Sequence, residues 1–402
     1  MIKKVILDKS ERLQRVPPFS FFEIERTKQR LKKKGVEIID LGVFNPQLKI
    51  TSEIKFPPSF FWENAFSEIL PEEEKELKQK ISFWFEKKYQ VKLNPEKELT
   101  LLPTKRVAYL CLALSFLNKG DVVIIPDPSD PLYRCVCALA ESEIQTVPLF
   151  ERNDFLPNLK TLSEKVLKKA KLLFLNYPNN PTSAVADYHF FKDVVEICSK
   201  NNILLVHDFS FSHIIYDDYT PLSPLQIDGA KKVCVEYHSL STNYTNPLFE
   251  LGFFAGGKDV ILELESEKKI FGSLNNKIYL KVAFYLLENY YRIVSEKNQE
   301  FSKRKSLLME KLLNLGWRIK KPKATPFFWI QIPPHYSSLG FARMLLRKSG
   351  LIVIPGSDFG ENGEGYIRLA LNLSSDKLNQ AIKRIEKHSH LLQLSYRPKR
   401  RI

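Results

Sequence analysis

Residues 172–183 read Leu-Leu-Phe-Leu-Asn-Tyr-Pro-Asn-Asn-Pro-Thr-Ser, an apolar run that halts at an asparagine and enters a turn holding two prolines. A short apolar run bounded by turn residues predicts a buried strand over 172–176. The same pattern recurs on both sides of it, at 99–102, 122–125, 146–149, 203–207, 233–237 and 251–255. Between most of these runs lie helical patterns at 106–117, 132–140, 159–168 and 188–199. Strands alternating with helices of this length predict an α/β fold, a mostly parallel seven-stranded sheet sandwiched by helices. Residues 51–275 are therefore expected to form a large domain.

The flanks read differently. Residues 1–50 form an arm with Pro17-Pro18, a helical pattern at 21–31, Gly35, and a strand-like segment at 36–41 that joins a small domain. A long helical pattern at 277–315 opens the segment 276–402. It is followed by strand 327–332, helix 339–348, strands 351–354 and 366–371, and helix 378–394. Grouped strands and helices of this kind predict a small α+β domain packed against the large one.

Composition excludes several classes. The chain has 402 residues, 44% hydrophobic and 27% charged, which is enough for a packed core and rules out global disorder. No apolar run approaches the roughly 20 residues that cross a bilayer, and residues 1–12 turn charged too early for a signal peptide, so a cytoplasmic location and no membrane are expected. The net charge of +15 attracts polyanions in general, yet much of it sits in runs such as Arg30 to Lys34 and Arg397 to Arg401, which read as solvated ends. Nothing resembles a helix-turn-helix, RNA-recognition or zinc-finger module, so no specific nucleic acid is expected. Cys111, Cys135, Cys137, Cys198 and Cys234 lack CxxC or zinc-site spacing and read as reduced thiols, with no metal site. Glycine is scarce, 15 of 402, and loops that approach phosphate groups usually need it.

Ligands of open parallel sheets bind beyond the carboxyl ends of the strands. Four such ends carry chemistry: Asn176 to Ser183, His207 to Ser212, His238 to Tyr244, and the small-domain run Tyr366-Ile367-Arg368-Leu369-Ala370. Asp208 at a buried strand end can accept a charged hydrogen bond from a heterocyclic N–H, Asn180 in a proline-flanked turn can donate to a phenolate, and Arg368 offers a fork matched to a carboxylate. Separately each has a plainer explanation as a helix cap, a turn residue or a solvent-facing base. Their order and separation make the combination specific.

That combination resembles the class I/II aminotransferases of fold type I, which use pyridoxal phosphate, over nearly the whole chain. Residues 176–182 are similar to the family's Asn-Tyr-Pro-Asn-Asn-Pro-Thr-Gly, which implies that Asn180 faces the cofactor's phenolic oxygen. His207-Asp208 resembles the strand end whose aspartate bonds the pyridinium nitrogen. Gly365-Tyr366-Ile367-Arg368 resembles the segment whose arginine holds the substrate α-carboxylate, and Asp40-Leu41-Gly42 the arm that covers the substrate. The aspartate and diaminopimelate aminotransferase-like branch is the most similar, and the resemblance implies a homodimer acting on amino acids and 2-oxo acids.

Several family positions have changed. The family's Ser-x-Ser-Lys reads Ser239-Leu240-Ser241-Thr242, so the Schiff-base lysine is Thr242, and no lysine occurs between Lys232 and Lys258. The arginine facing the cofactor phosphate is Glu250, which replaces attraction by repulsion. The Gly-Ser-Lys phosphate loop reads Pro103-Thr104-Lys105 and loses an N–H. Asp130 stands for the aromatic that stacks on the ring, and Phe211 for a tyrosine that bonds the phenolic oxygen. The neighbour-subunit tyrosine and following glycine fall on Glu68 and Glu73, while Ser183 and Leu248 replace glycines.

The resemblance thus implies pyridoxal phosphate as the family cofactor, with covalent binding absent here and noncovalent binding weak or none. Thr104, Lys105, Asn180, Asp208 and Ser239 remain as vestigial cofactor contacts, and Gly42 and Arg368 as substrate contacts. One reading is an aminotransferase-like pseudoenzyme, a homodimer or a heteromer with an active relative, with a small amino acid or oxo acid ligand. The alternative keeps activity, with the cofactor or its pyridoxamine form held noncovalently and the proton moved by His207, His238 or a recruited Lys105.

Overall fold

The structure, a computed structural model, describes residues 8–17, 20–44, 59, 69–243, 251–271 and 277–387. Its strands in chain order are β1 (Ile39–Asp40), β2 (Leu99–Leu102), β3 (Val122–Asp127), β4 (Glu143–Pro148), β5 (Ala170–Asn176), β6 (Leu204–Asp208) and β7 (Cys234–Ser239). Then come β8 (Gly252–Gly256), β9 (Phe327–Gln331), β10 (Leu351–Ile352), β11 (Ile354–Pro355) and β12 (Tyr366–Ala370).

Seven strands form one sheet in the order β2-β8-β7-β6-β5-β3-β4. β8 runs antiparallel to β2 and β7, and the other pairings are parallel. The expected sheet is thus present, with each strand within a few residues of its predicted span. Burial explains why it is stable on both faces. Leu172 and Phe174 of β5 enter one apolar cluster, whereas Leu173 and Leu175 enter another on the opposite face. Two-residue alternation between two cores is what a sheet covered by helices on both sides requires.

A three-stranded antiparallel sheet, β11-β12-β9, builds a further core with Phe327, Phe328, Ile330, Ile367 and Leu369. Here β12 sets Arg368 opposite Trp329 on one side and Ile354 on the other. The arm reaches this region through β1, which pairs in parallel with β10, Asp40 opposite Ile352.

Local chemistry accounts for the departures from the expected elements. The helical pattern at 159–168 divides into a single turn Leu159–Thr161 and a helix Glu164–Lys169, because Ser163 Oγ caps the latter by accepting from Val166 N. The long pattern at 277–315 breaks at Asn289 into Lys277–Glu288 and Tyr290–Asn314. Strand 351–354 separates into β10 and β11, which pair with different partners, and the strand-like 36–41 shortens to β1. The last helix is Ser375–Lys387, and the rest of its predicted span lies outside the described residues. A further helix, Pro71–Tyr89, starts with Pro71 at its first position and Glu72, Glu73 and Glu74 in its first turn, start signals that the apolar pattern alone does not show. Among the described residues no helix is long and apolar enough to cross a membrane, and all five cysteines are free.

Candidate functional site

The carboxyl ends of β5, β6 and β7 lie side by side, with Asn176 opposite Asp208 and Asp208 opposite Tyr237. The turn after β5 is built from its own asparagines. Asn176 Nδ2 donates to the Asp208 carbonyl at 2.7 Å and to the Pro178 carbonyl, and its Oδ1 accepts from Asn180 N. Asn179 Oδ1 accepts from Thr182 N and Oγ1. Two buried asparagines, Asn176 and Asn179, thus shape the turn that holds Asn180, and the peptide bonds before Pro178 and Pro181 are cis.

Asp208 is fully buried, and four donors surround its carboxylate. Ser210 donates to Oδ1 from its N at 3.1 Å and its Oγ at 2.5 Å. Tyr133 OH donates to Oδ2 at 2.6 Å, and Lys105 Nζ approaches the same oxygen at 2.5 Å. Two oxygens offer about four lone-pair directions, so this carboxylate is saturated by the chain itself.

Lys105 is the first residue of the helix Lys105–Phe116, which Thr104 caps by accepting from Val107 N. Its ammonium also meets Asp130 Oδ2 at 2.8 Å and lies 5.7 Å from the ring centres of both Tyr109 and Tyr133. Burial by itself would lower the lysine pKa, but the charges of Asp130 and Asp208 override it and hold it above its ordinary value. Asp130 serves two purposes. Its Oδ1 caps the helix Pro131–Leu139 by accepting from Leu132 N, while Oδ2 takes Lys105 and, at 3.2 Å, Asn180 Nδ2. Burial would raise this carboxyl, and Lys105 brings it below its ordinary value.

From the three-stranded sheet, Arg368 reaches the same cluster. It donates to Asn180 Oδ1 at 2.7 Å and to the Gly42 carbonyl at 2.9 Å, with its guanidinium between the rings of Phe327 and Phe359. Burial pushes its pKa down to about 10, opposed by Asp130 and Asp358, so it stays charged at neutral pH. A single chain of contacts therefore runs from Arg368 through Asn180, Asp130 and Lys105 to Asp208 and Tyr133.

Other expected residues have different surroundings. Thr242 follows β7 in the short helix Leu240–Asn243, half-buried, its N–H donating to Ser239 Oγ at 3.1 Å. Phe211 packs edge-on against Phe327 and Phe44. Glu73 pairs with Lys277 at 2.8 Å and accepts from Leu70 N. Glu68, Leu248 and Glu250 lie outside the described residues. His207 and His238 are both held by the buried Glu236, at 3.0 and 2.7 Å. Because Tyr177 N donates to His207 Nε2, that ring carries its proton on Nδ1, against Glu236. The ring of His207 packs on Phe191 and that of His238 stacks on Phe253, in the core rather than at Lys105.

The sequence reading missed Tyr133 and Ser210 as partners of Asp208. Their signals were present: Ser210 lies two residues after the aspartate, and Tyr133 one helical turn after Asp130-Pro131. A cavity of about 440 Å³ opens beside the turn after β5, lined by Phe155, Ser183, Tyr219 and Trp329 among others, and not by Lys105, Asp130 or Asp208. Among the described residues no cluster of His, Cys, Asp and Glu is placed to hold a metal ion.

Comparison with known proteins adds a family. The family described as aminotransferase class I and II matches residues 63–385. LL-diaminopimelate aminotransferase 2 of Nostoc sp. is 36% identical over 380 residues, covering 94% of this chain and 97% of that protein. The LL-diaminopimelate aminotransferase of Dehalococcoides mccartyi strain 195 is 35% identical, with 94% and 97% covered. Among solved structures, substrate-bound BacF from Bacillus subtilis superposes with a TM-score of 0.86 at 28% identity, covering 96% of this chain and 98% of that one. A probable N-succinyldiaminopimelate aminotransferase from Thermus thermophilus gives 0.82 at 29% identity, with 91% and 99% covered.

Proposed function

Because the chain belongs to the aminotransferase class I and II family, we propose that it keeps the family fold while no longer transaminating, and serves as a stable homodimeric or heteromeric partner. The observation that carries this reading is Thr242. It stands directly beyond β7, beside the strand that ends in Asp208, where the family resemblance puts the lysine that holds and works on the cofactor. A hydroxyl there can neither form an imine nor carry a proton as an amine does, and loss of a general base alone costs about 10²- to 10⁴-fold in rate. Glu250 in the same segment adds a carboxylate where the phosphate needs a cation.

The residues present do not suit pyridoxal phosphate. Its ring nitrogen needs a free acceptor on Asp208, whose lone pairs are already filled, and the ring needs an aromatic neighbour where Asp130 stands. Noncovalent binding is therefore weak in this reading. The relatives' names point to amino donors of the diaminopimelate type as the ligands to test, and a cytoplasmic location is part of the same proposal.

One observation favours the alternative of an active enzyme, namely that an amine, Lys105, reaches Asp208. Two aspartates hold it as an ammonium, which has no lone pair with which to take a proton. The inactive reading therefore fits better. Incubation with pyridoxal phosphate, borohydride reduction and intact-mass measurement is expected to leave the chain unmodified, and LL-diaminopimelate with 2-oxoglutarate is expected to give no turnover. A reduced adduct on a defined lysine of the site, or steady turnover, overturns the proposal.

A further inference from the structure

By the resemblance, Lys105 belongs to a phosphate loop that keeps Thr104 but has lost a backbone N–H at Pro103. Thr104 Oγ1 is engaged as a helix cap. Yet the lysine side chain is more completely coordinated than an exposed vestige would be. Two carboxylates grip it at 2.5 and 2.8 Å and two tyrosine rings flank it. Asp130, the second of those carboxylates, is itself a departure from the family pattern, in which an aromatic ring stands there. Departure and surviving residue therefore make a complementary pair.

We infer that Lys105 is the resident cation of this site, an intramolecular ligand that occupies the seat facing Asp208 and closes it to any external pyridinium or ammonium group. This deepens the reading above and rests on it. The seat is built as an ammonium receptor. Asp208 Oδ2 and Asp130 Oδ2 converge on one nitrogen, Tyr133 OH shares the first of these oxygens, and Asn180 Nδ2 shares the second. Tethering gives the lysine a high local concentration without the translational loss a free ligand bears. An external cation would have to displace it and leave its ammonium without Asp208.

Chemical rescue tests the assignment on the full-length chain. The K105A variant removes the cation and leaves Asp130 and Asp208 facing each other, so its melting temperature is expected to fall by several degrees. n-Butylammonium chloride is expected to restore at least half of that loss in a saturable manner, while sodium chloride at equal ionic strength does not. Wild-type protein, with the seat filled, is expected to show no saturable shift. K105M, which refills the volume without the charge, is expected to be destabilised and to resist rescue.

A second measurement does not depend on the stability of K105A. D130N keeps the helix cap but loosens Lys105, and it is expected to bind pyridoxine, which has neither aldehyde nor phosphate, at least about tenfold more tightly than wild type. Failure of butylammonium to rescue K105A, an equal shift in wild type, or equal pyridoxine affinity in wild type and D130N overturns the inference. Those results leave the proposed loss of transamination standing, whereas turnover by the wild-type chain sinks that reading first.

Discussion

Arg368 and Asn180 meet at 2.7 Å across the junction of the two sheets, a guanidinium on β12 donating to an amide oxygen in the loop after β5. The same arginine holds the arm through the Gly42 carbonyl, and its Nε is buried with no partner among the described residues. It therefore joins three separate parts of the chain at one point. R368A leaves Asn180 Oδ1 and the Gly42 carbonyl unsatisfied and removes a cation near Asp130. Each buried acceptor left unsatisfied costs about 1 to 3 kcal/mol. The urea midpoint of R368A is expected to fall accordingly, and R368K, which supplies charge without the planar fork, is expected to recover only part of it. A midpoint within error of wild type contradicts this account.

Ser183 presents a contest between strain and hydrogen bonding. Its φ is +60°, a left-handed conformation costing a non-glycine residue about 1 to 2 kcal/mol. Its Oγ bonds Thr325 Oγ1 at 2.6 Å and accompanies that with a donor contact to the Phe327 carbonyl at 2.7 Å, tying the loop to the segment before β9. S183A keeps the strain and loses both bonds, so it is expected to be the least stable. S183G loses the bonds but relieves the strain, and it is expected to lie between S183A and wild type, within about 1 kcal/mol of the latter. Urea unfolding of the three proteins ranks them, and an S183G more stable than wild type would show that strain dominates.

Under the proposed loss of transamination, a lysine at position 242 alone is not expected to give activity. T242K places an amine beyond β7, but Asp208 stays bonded to Lys105, Tyr133 and Ser210, and Glu250 is unchanged. Turnover of LL-diaminopimelate with 2-oxoglutarate by T242K is expected to stay at background in a coupled assay. T242K combined with K105M and E250R is expected to rise above it, since each change removes a separate obstacle. Full turnover by T242K would mean that the Lys105 contact yields readily.

The sheet was legible in the sequence because β5, β3 and β6 alternate faces in unbroken apolar runs, and burial on both sides leaves few other arrangements for such residues. The small sheet was legible less sharply. A run such as 351–354 does not reveal that its two halves pair with different strands, since that depends on where the arm lies. Asp130 and Arg368, singled out by motif, do meet around Asn180, but the Lys105–Asp130 pair could not be read from the sequence. It joins residues 25 apart through side-chain directions that only the packed helices set. His207 and His238 drew attention as bases, yet Glu236, one residue in a strand of apolar neighbours, keeps both in the core.

Asp358 gives a prediction in pH. Its carboxyl is raised above the ordinary value by burial, with Ser20 opposing through an Oγ donation at 2.6 Å. A carboxyl that holds its proton more tightly in the folded chain than in the unfolded one makes stability fall as pH rises, starting at the unfolded value of about 3.9 and ending above the folded one. The native chain thus carries a penalty at neutral pH that is absent in acid. In D358N an amide oxygen can still accept from Ser20 and no charge is buried. D358N is expected to match wild type at and below about pH 4 and to equal or exceed it in melting temperature at pH 7. The difference between the two proteins should open through the weakly acidic range. If D358N is instead destabilised at pH 7 and the gap closes toward acid, the ionised carboxylate stabilises the fold, through Ser20 or the nearby Arg368, and the sign assigned to its burial is wrong.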